Sequence, residues 1–386
     1  MLEGIMKPRS IALLVLACVT AVILQVGVGV WLIQLHPQPV RQKAVFAVAD
    51  PQNVQFDFGV MPDMLPVEEA PVDPVEIRNL AADPLPVKDL VLSAPVAHEN
   101  LTVFFIEGKE TMKGRRLMPL ETALAQGLAT VHEGITVENH GDVPLFIQAG
   151  DIIKGGSQDR TLPYDMIIPV ASRRVPLPAF CVEAGRSGPR AGEISTSFQA
   201  STEQLPGKQL HLAARVNRNQ AQVWAGVQAM QTKLTQAVGA PVQSGLSPTS
   251  MQLSLENPAM RERILGTLTK LNPLPEGEKT IGAVFVINGV VQGAEIYGSH
   301  ATFREMYGKL LRANAIAALA ERRAAQQDVS ADAVRRFLDQ AEVGANPQHR
   351  RGGSALTRQL DSHGAVLFET FDPDGSTVMH RSYLAK

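Results

Sequence analysis

Between Ile11 and Leu35 the chain runs for 25 residues without a charged side chain, and Thr20, Gln25 and Gln34 are its clearly polar members. At ~1.5 Å rise per residue, a helix of this length crosses a bilayer core, which takes about 20 residues. A buried core helix would be shorter or carry a polar stripe. Lys7 and Arg9 precede the run, and Trp31 lies near its far end, where interfacial aromatics are common. A cleaved secretory signal has an apolar region of roughly 7–15 residues. Ala47-Val48-Ala49 has the form of a cleavage site but lies well past the run, and the apolar stretch continues beyond Val15-Leu16-Ala17-Cys18, which faintly resembles a lipoprotein site. The expectation is an uncleaved transmembrane signal anchor over 11–35, with residues 1–10 as a cytoplasmic tail. Lys7 and Arg9 are balanced by Arg41 and Lys43 on the other side, a tie in the positive-inside count. No Lys or Arg follows Lys43 until Arg78, which leans towards an exported C-terminal side. A single-pass protein of a bacterial inner membrane, with its C-terminal part in the periplasm, is therefore expected.

Residues 36–87 are rich in proline, from Pro37 and Pro39 to Pro84 and Pro86, with Asp57, Asp63, Glu68, Glu69, Asp73 and Glu76 interspersed. Proline removes backbone donors and favours extended structure, so this segment reads as a semi-rigid acidic linker. A partner-binding Pro-rich segment is the sharper alternative, but no basic residue flanks a P-x-x-P here.

The remaining residues, 88–386, read as one globular domain. The whole chain of 386 residues carries 36 Lys and Arg against 38 Asp and Glu, a net charge of -2. Nucleic-acid binding needs a basic face, so a nucleic-acid partner is not expected. An apolar fraction of 45% is too high for a disordered chain, and two cysteines make no disulfide framework.

Leu101–Ile106 is β-branched and aromatic and reads as a strand. Leu120–Gln126 suits a short helix, and Ala129–Asn139, Val143–Gln148, Ile167–Val170 and Val175–Glu183 read as strands. Pro176 and Pro178 make the last an edge or irregular strand. Val223, Trp224, Val227, Met230, Leu234 and Val238 form a helical stripe, capped by Asn217 or Asn219. Glu262–Leu271 is a further helix. Asn288-Gly289 between Ala283–Ile287 and Val290-Val291 predicts a type I′ hairpin, since both turn residues need positive φ. Thr302 and Glu305 have capping-box spacing for the next helix, and Ser330 caps another. Asn346–Gly353 reads as a loop, and the last thirty residues as a three-stranded meander. Mixed element order without regular βα alternation predicts an α+β fold with mostly antiparallel strands.

Local chemistry is sparse. Gly150-Asp151-Ile152-Ile153-Lys154-Gly155-Gly156-Ser157 nearly spells a P-loop, but Gly156 stands where the lysine is needed, and strands rather than a helix flank it. It reads either as a hairpin turn or as an anion-binding loop with Arg160 as a bidentate clamp. Asp159 and Arg160 either pair with Glu183 and Arg186 as a buried brace or line a site. Cys181 in an apolar run reads as a buried small hydrophobe rather than a nucleophile. No zincin, C-x-x-C, G-x-S-x-G or S-x-x-K motif occurs, so neither metal nor cofactor is implied.

The stretch Pro144–Arg160, with its glycine turn followed by Gln158-Asp159-Arg160, and the later Cys181-Val182-Glu183-Ala184-Gly185-Arg186 resemble the ADP-ribosylglycohydrolase- and rhodanese-phosphatase-associated domain, a family without an established molecular function. Weaker similarity extends from about Pro95 to His380. An aromatic usually follows the last arginine of this motif, and here Ser187 stands there. The absence of a standard catalytic motif leads to a membrane-anchored ligand-binding or interaction module; the alternative is a hydrolase acting on a phosphate- or nucleotide-type, ADP-ribose-like ligand. A small anionic ligand would meet Gly155, Gly156, Gln158, Asp159, Arg160, Glu183 and Arg186, with Asp159 or Glu183 as acid or base.

Overall fold

The structure, a computed structural model, describes residues 87–386 apart from 113, 194–197, 276–278 and 323–327, together with 72, 77 and 80. The expected anchor at 11–35 and nearly all of the linker lie outside the described residues. Among those described, no helix is long and apolar enough to cross a membrane.

A nine-stranded antiparallel sheet forms the frame. Its strands are β1 (Val91–Leu92), β2 (Val96–His98), β3 (Leu101–Glu107), β4 (Thr280–Ile287), β5 (Val290–Tyr297), β6 (Ala345–Gly352), β7 (Ala355–Asp361), β8 (Ala365–Phe371) and β9 (Val378–Ala385). They lie in the order β1-β3-β4-β5-β9-β8-β7-β6, with β2 also paired to β3. Seven α-helices are found among the described residues: α1 (Leu120–Ala125), α2 (Lys208–His211), α3 (Gln220–Val238), α4 (Met251–Leu255), α5 (Pro258–Leu271), α6 (His300–Ala320) and α7 (Ala331–Glu342).

Strand alternation sorts the core into two faces. Val103, Phe105, Ala283 and Phe285 join one cluster with Phe303, Met306 and Leu310 of α6. Phe104, Ile106, Val284 and Val286 join another with Val334 and Leu338 of α7. Both sheet faces are therefore covered, and all eight residues of β4 are buried. Residues 118–199 form a lobe of short strands with its own core, including Leu145, Ile153, Leu162 and Ile168.

The α+β architecture follows the expectation, with local corrections. Ala129–Asn139 is two strands, Ala129–His132 and Thr136–Asn139, because Gly134 and Ile135 turn at φ 85° and 56°. Val175–Glu183 breaks into Val175–Pro176 and Phe180–Cys181 around its second proline. Helix α5 begins four residues before Glu262, with Asn257 accepting the N–H of Met260 and Pro258 in the first turn. The cap of α6 is Ser299, whose hydroxyl accepts the N–H of Thr302, so Thr302 is inside the helix. The expected loop Asn346–Gly353 is mostly strand β6, which makes the C-terminal meander four-stranded. Its polar sequence suits an edge position. The Asn288-Gly289 hairpin has the expected positive φ at both positions, 52° and 77°.

Candidate functional site

The glycine turn bends where its sequence says it must. Gly155 and Gly156 have φ of 117° and 53°, and a Cβ on Gly156 would stand 2.5 Å from the Phe198 ring. The turn does present an N–H to an anion, and that anion is the protein's own. Gly155 N–H donates to Asp159 Oδ1 at 2.9 Å. Arg190 grips the same carboxylate through Nη1 to Oδ2 and Nη2 to Oδ1, both at 2.7 Å, and Ser250 Oγ donates to Oδ2 at 2.7 Å. Glu183 accepts the Asp159 N–H at 3.1 Å, pairs with Arg186 Nη2 at 2.7 Å and accepts the Ser247 hydroxyl. Arg186 also donates to the carbonyls of Gly156 (2.7 Å) and Gly188 (2.6 Å). Asp159 and Glu183 are fully buried. Burial pushes the Arg190 pKa down, but its hydrogen bonds to Asp159 and Glu193 outweigh this and leave it raised.

Gly155, Gly156, Asp159, Glu183 and Arg186 are thus brought together, whereas Gln158 and Arg160 face away from them. Arg160 begins the strand Arg160–Thr161, where its cross-strand partner is Cys181. Its guanidinium meets Gln158 Oε1 at 3.1 Å and the Cys181 sulfur. The place expected for Arg160 beside the carboxylates is taken by Arg190, a residue the motif did not include. Cys181 is buried, and burial pushes its thiol pKa up against the pull of Arg160.

A second ionic cluster sits where the lobe meets the sheet. His380 of β9 lies between two carboxylates: Nδ1 is 2.6 Å from Asp165 Oδ2, and Nε2 is 2.8 Å from Glu295 Oε2 of β5. The second contact is an ion pair. Burial pushes the His380 pKa down, but Asp165 and Glu295 outweigh it and hold it up at about 9. Burial pushes Asp165 up, but His380 outweighs it and brings it down to about 2. Tyr297 stacks on His380 with ring centroids 4.4 Å apart.

Beside this cluster a cavity of about 40 Å3 is lined by Gln204, Lys208, His211, Arg215, Gln292, Glu295 and Asn314. At ~10–15 Å3 per water, it holds about three. Arg215, in the π-helical turn that continues α2, is 3% exposed. It donates from Nη1 to Ser382 Oγ at 2.9 Å and lies 4.1 Å over the Phe368 ring, and its Nε has no hydrogen bond. It has no ion-pair partner among the described residues. Burial pushes its pKa down, opposed by the fields of Glu295 and Asp165. His211 donates from Nε2 to the Leu205 carbonyl at 2.9 Å, which leaves Nδ1 as an acceptor without a partner. Burial first, then Arg215, brings its pKa down to about 3, so the ring is neutral.

A third cluster places Lys309 Nζ 2.8 Å from Asp151 and 2.9 Å from Glu121. Burial raises the Asp151 pKa to about 6 despite Lys309. Gln148 links the second and third clusters, since it accepts Tyr297 OH at 2.7 Å and donates its N–H to Asp151 at 2.9 Å.

The sequence patterns single out none of the cavity residues. One signal was available. Glu295 and His380 are charged or titratable residues inside mostly apolar strands, where a polar side chain needs a reason. Among the described residues no cluster is placed to hold a metal ion.

The sequence model of the ARG and Rhodanese-Phosphatase-superfamily-associated Protein domain matches residues 89–384. No curated protein and no solved structure matches the chain.

Proposed function

This chain belongs to the ARG and Rhodanese-Phosphatase-superfamily-associated Protein domain family, and on that premise we propose that it is a ligand-binding module whose site is the Arg215 cavity. The ligand is a small molecule held through an oxyanion group, a carboxylate or a phosphate. The observation that carries this reading is Arg215 itself, a buried guanidinium that lines a cavity and has no carboxylate paired with it. Burying a charge is costly unless it is paired, and a planar guanidinium suits a bidentate oxyanion. Lys208, whose ammonium donates to the Lys386 carbonyl at 2.9 Å, borders the same cavity and adds positive charge.

The glycine-turn motif supports this less well, because its donors are committed to Asp159 and Arg186 is held by Glu183 and backbone carbonyls. A hydrolase using Asp159 or Glu183 as acid or base finds both carboxylates buried and engaged. The proposal keeps the domain on a membrane anchor with a periplasmic C-terminal part. The support is the uncharged 25-residue run and the lack of Lys and Arg between Lys43 and Arg78. A periplasmic phosphatase fusion should be active there, and activity from a cytoplasmic reporter alone overturns that placement.

Calorimetric titration of the full chain in detergent with acetate and with inorganic phosphate tests the site. Heat of binding in the wild type that disappears in Arg215→Met is the expected result. Equal responses from the two proteins overturn the proposal.

A further inference from the structure

A larger pocket lies where the lobe meets the β6–β7 and β8–β9 turns. Its volume is about 410 Å3, against about 40 Å3 for the Arg215 cavity, and the two share no lining residue. Small-molecule pockets run from roughly 300 to 1,000 Å3 and are mostly apolar, with a few polar groups that fix orientation. Leu117, Ile167 and Met379, all buried, line this one together with Pro144, Pro169 and Pro373. Val170 completes the apolar surface and is 45% exposed. The lining is fixed in place. Gly353 bridges to Ile167, and a Cβ on Gly353 would stand 2.2 Å from the Ile167 carbonyl oxygen. Ser354 donates its N–H (2.9 Å) and its hydroxyl (3.2 Å) to that same carbonyl. A pocket already held in shape asks less ordering of its ligand.

Polar atoms along this lining are engaged within the protein. The Pro144 carbonyl accepts the Met118 N–H at 3.0 Å, and the Pro169 carbonyl accepts the Asn139 amide at 3.1 Å. Asp372 pairs with Arg115 and accepts the Ser376 hydroxyl at 3.3 Å and the Thr377 N–H at 3.0 Å. Arg116 differs. It is exposed and has neither a hydrogen bond nor an ion pair among the described residues. Glu305, outside the lining, lies within its field but does not pair with it. Two arginines against one carboxylate leave the lining with one net positive charge.

We propose that this pocket binds an amphipathic organic acid, with its apolar body against the prolines, Ile167 and Val170 and its carboxylate on Arg116. Covering the exposed valine and proline surface drives the body in, and a planar guanidinium suits a carboxylate. A neutral or cationic amphiphile would leave the positive charge of the lining unmatched.

Octanoate, octan-1-ol and octylamine share one apolar chain and differ in the charge of the head. Calorimetric titration of the full chain in phosphatidylcholine nanodiscs, with empty nanodiscs as the blank, is expected to show octanoate binding at least tenfold more tightly than the other two. Arg116→Gln should bring octanoate down to the level of octan-1-ol. Val170→Asp, at an exposed position, should weaken octanoate at least tenfold. Arg215→Met should leave octanoate binding as in the wild type, because the smaller cavity has no room for eight carbons. Octan-1-ol or octylamine binding as tightly as octanoate overturns the proposal, as does octanoate binding that ignores Arg116→Gln or Val170→Asp. No heat beyond the blank overturns it too. Loss of octanoate binding in Arg215→Met overturns it by moving the acid to the other cavity.

Discussion

The Asp159–Arg190 cluster and the Arg215–His380 cluster are both buried, both ionic and both built from distant segments, yet they differ in how their charges are satisfied. In the first, Asp159 receives two bonds from Arg190, one from Ser250 and one from Gly155, and Glu183 is similarly held. In the second, Arg215 has one hydrogen bond to a hydroxyl and a ring beneath it, and its Nε and His211 Nδ1 have no hydrogen bond. Carboxylates with full sets of partners mark a brace, even though Arg186 Nε in it has no hydrogen bond. Leftover donors and acceptors around a cavity mark a place for something else.

The largest expected effect breaks the brace. Arg190→Ala leaves Asp159 buried without its cation and should cost ~3–5 kcal/mol, read as a lower denaturation midpoint. A loss below about 1 kcal/mol would remove the distinction between the clusters.

Next is the pH response of the second cluster. The His380 pKa is raised to about 9 from the usual 6.5, so its contribution is fully present below 6.5 and is lost as pH rises through 9. That difference corresponds to roughly 3 kcal/mol, and a series of denaturation curves from pH 6 to 10 checks it. Asp165 behaves oppositely: with its pKa lowered to about 2, its contribution is present above 3.8 and is lost as pH falls through 2. His380→Gln should flatten the alkaline limb; an unchanged limb assigns the loss to another group.

A smaller effect tests the turn alone. Gly156→Ala puts a Cβ against Phe198 at positive φ and should cost ~1–3 kcal/mol, measured as a drop in Tm.

The smallest stability effect is expected at the candidate site. Arg215→Met replaces a poorly paired buried cation by an apolar chain over Phe368 and should change stability by less than about 1 kcal/mol or raise it. A loss comparable to that of Arg190→Ala would make Arg215 a brace as well.

Much of the fold was legible because it rests on local patterns. A β-branched and aromatic run marked β3, Asn288-Gly289 marked the hairpin that joins β4 and β5, and Ser330 marked the start of α7. Errors fell where one local signal hid another: Ser299 just ahead of Thr302, Gly134 inside a stretch read as one strand, and a polar edge strand read as a loop. The site was less legible. The motif located the segment that carries Asp159 and Glu183, but Arg190 and Ser250 complete it from 31 and 91 residues beyond Asp159.

The amino-acid sequence alone determined the apolar run, the proline-rich spacer, the α+β class and the family, because each depends on residue type, short-range period or local motif. Tertiary structure decided which arginine meets which carboxylate. Arg160 and Arg190 are equally cationic in sequence, but strand pairing puts the first beside Cys181, while the segment after Cys181 brings the second to Asp159. It also decided that Arg215 would lie beside Ser382, 167 residues away, and His380 beside Asp165, 215 residues away. Those distances are closed by packing of the lobe and helices on the sheet, and no periodicity along the chain encodes which polar atoms that packing leaves unpaired.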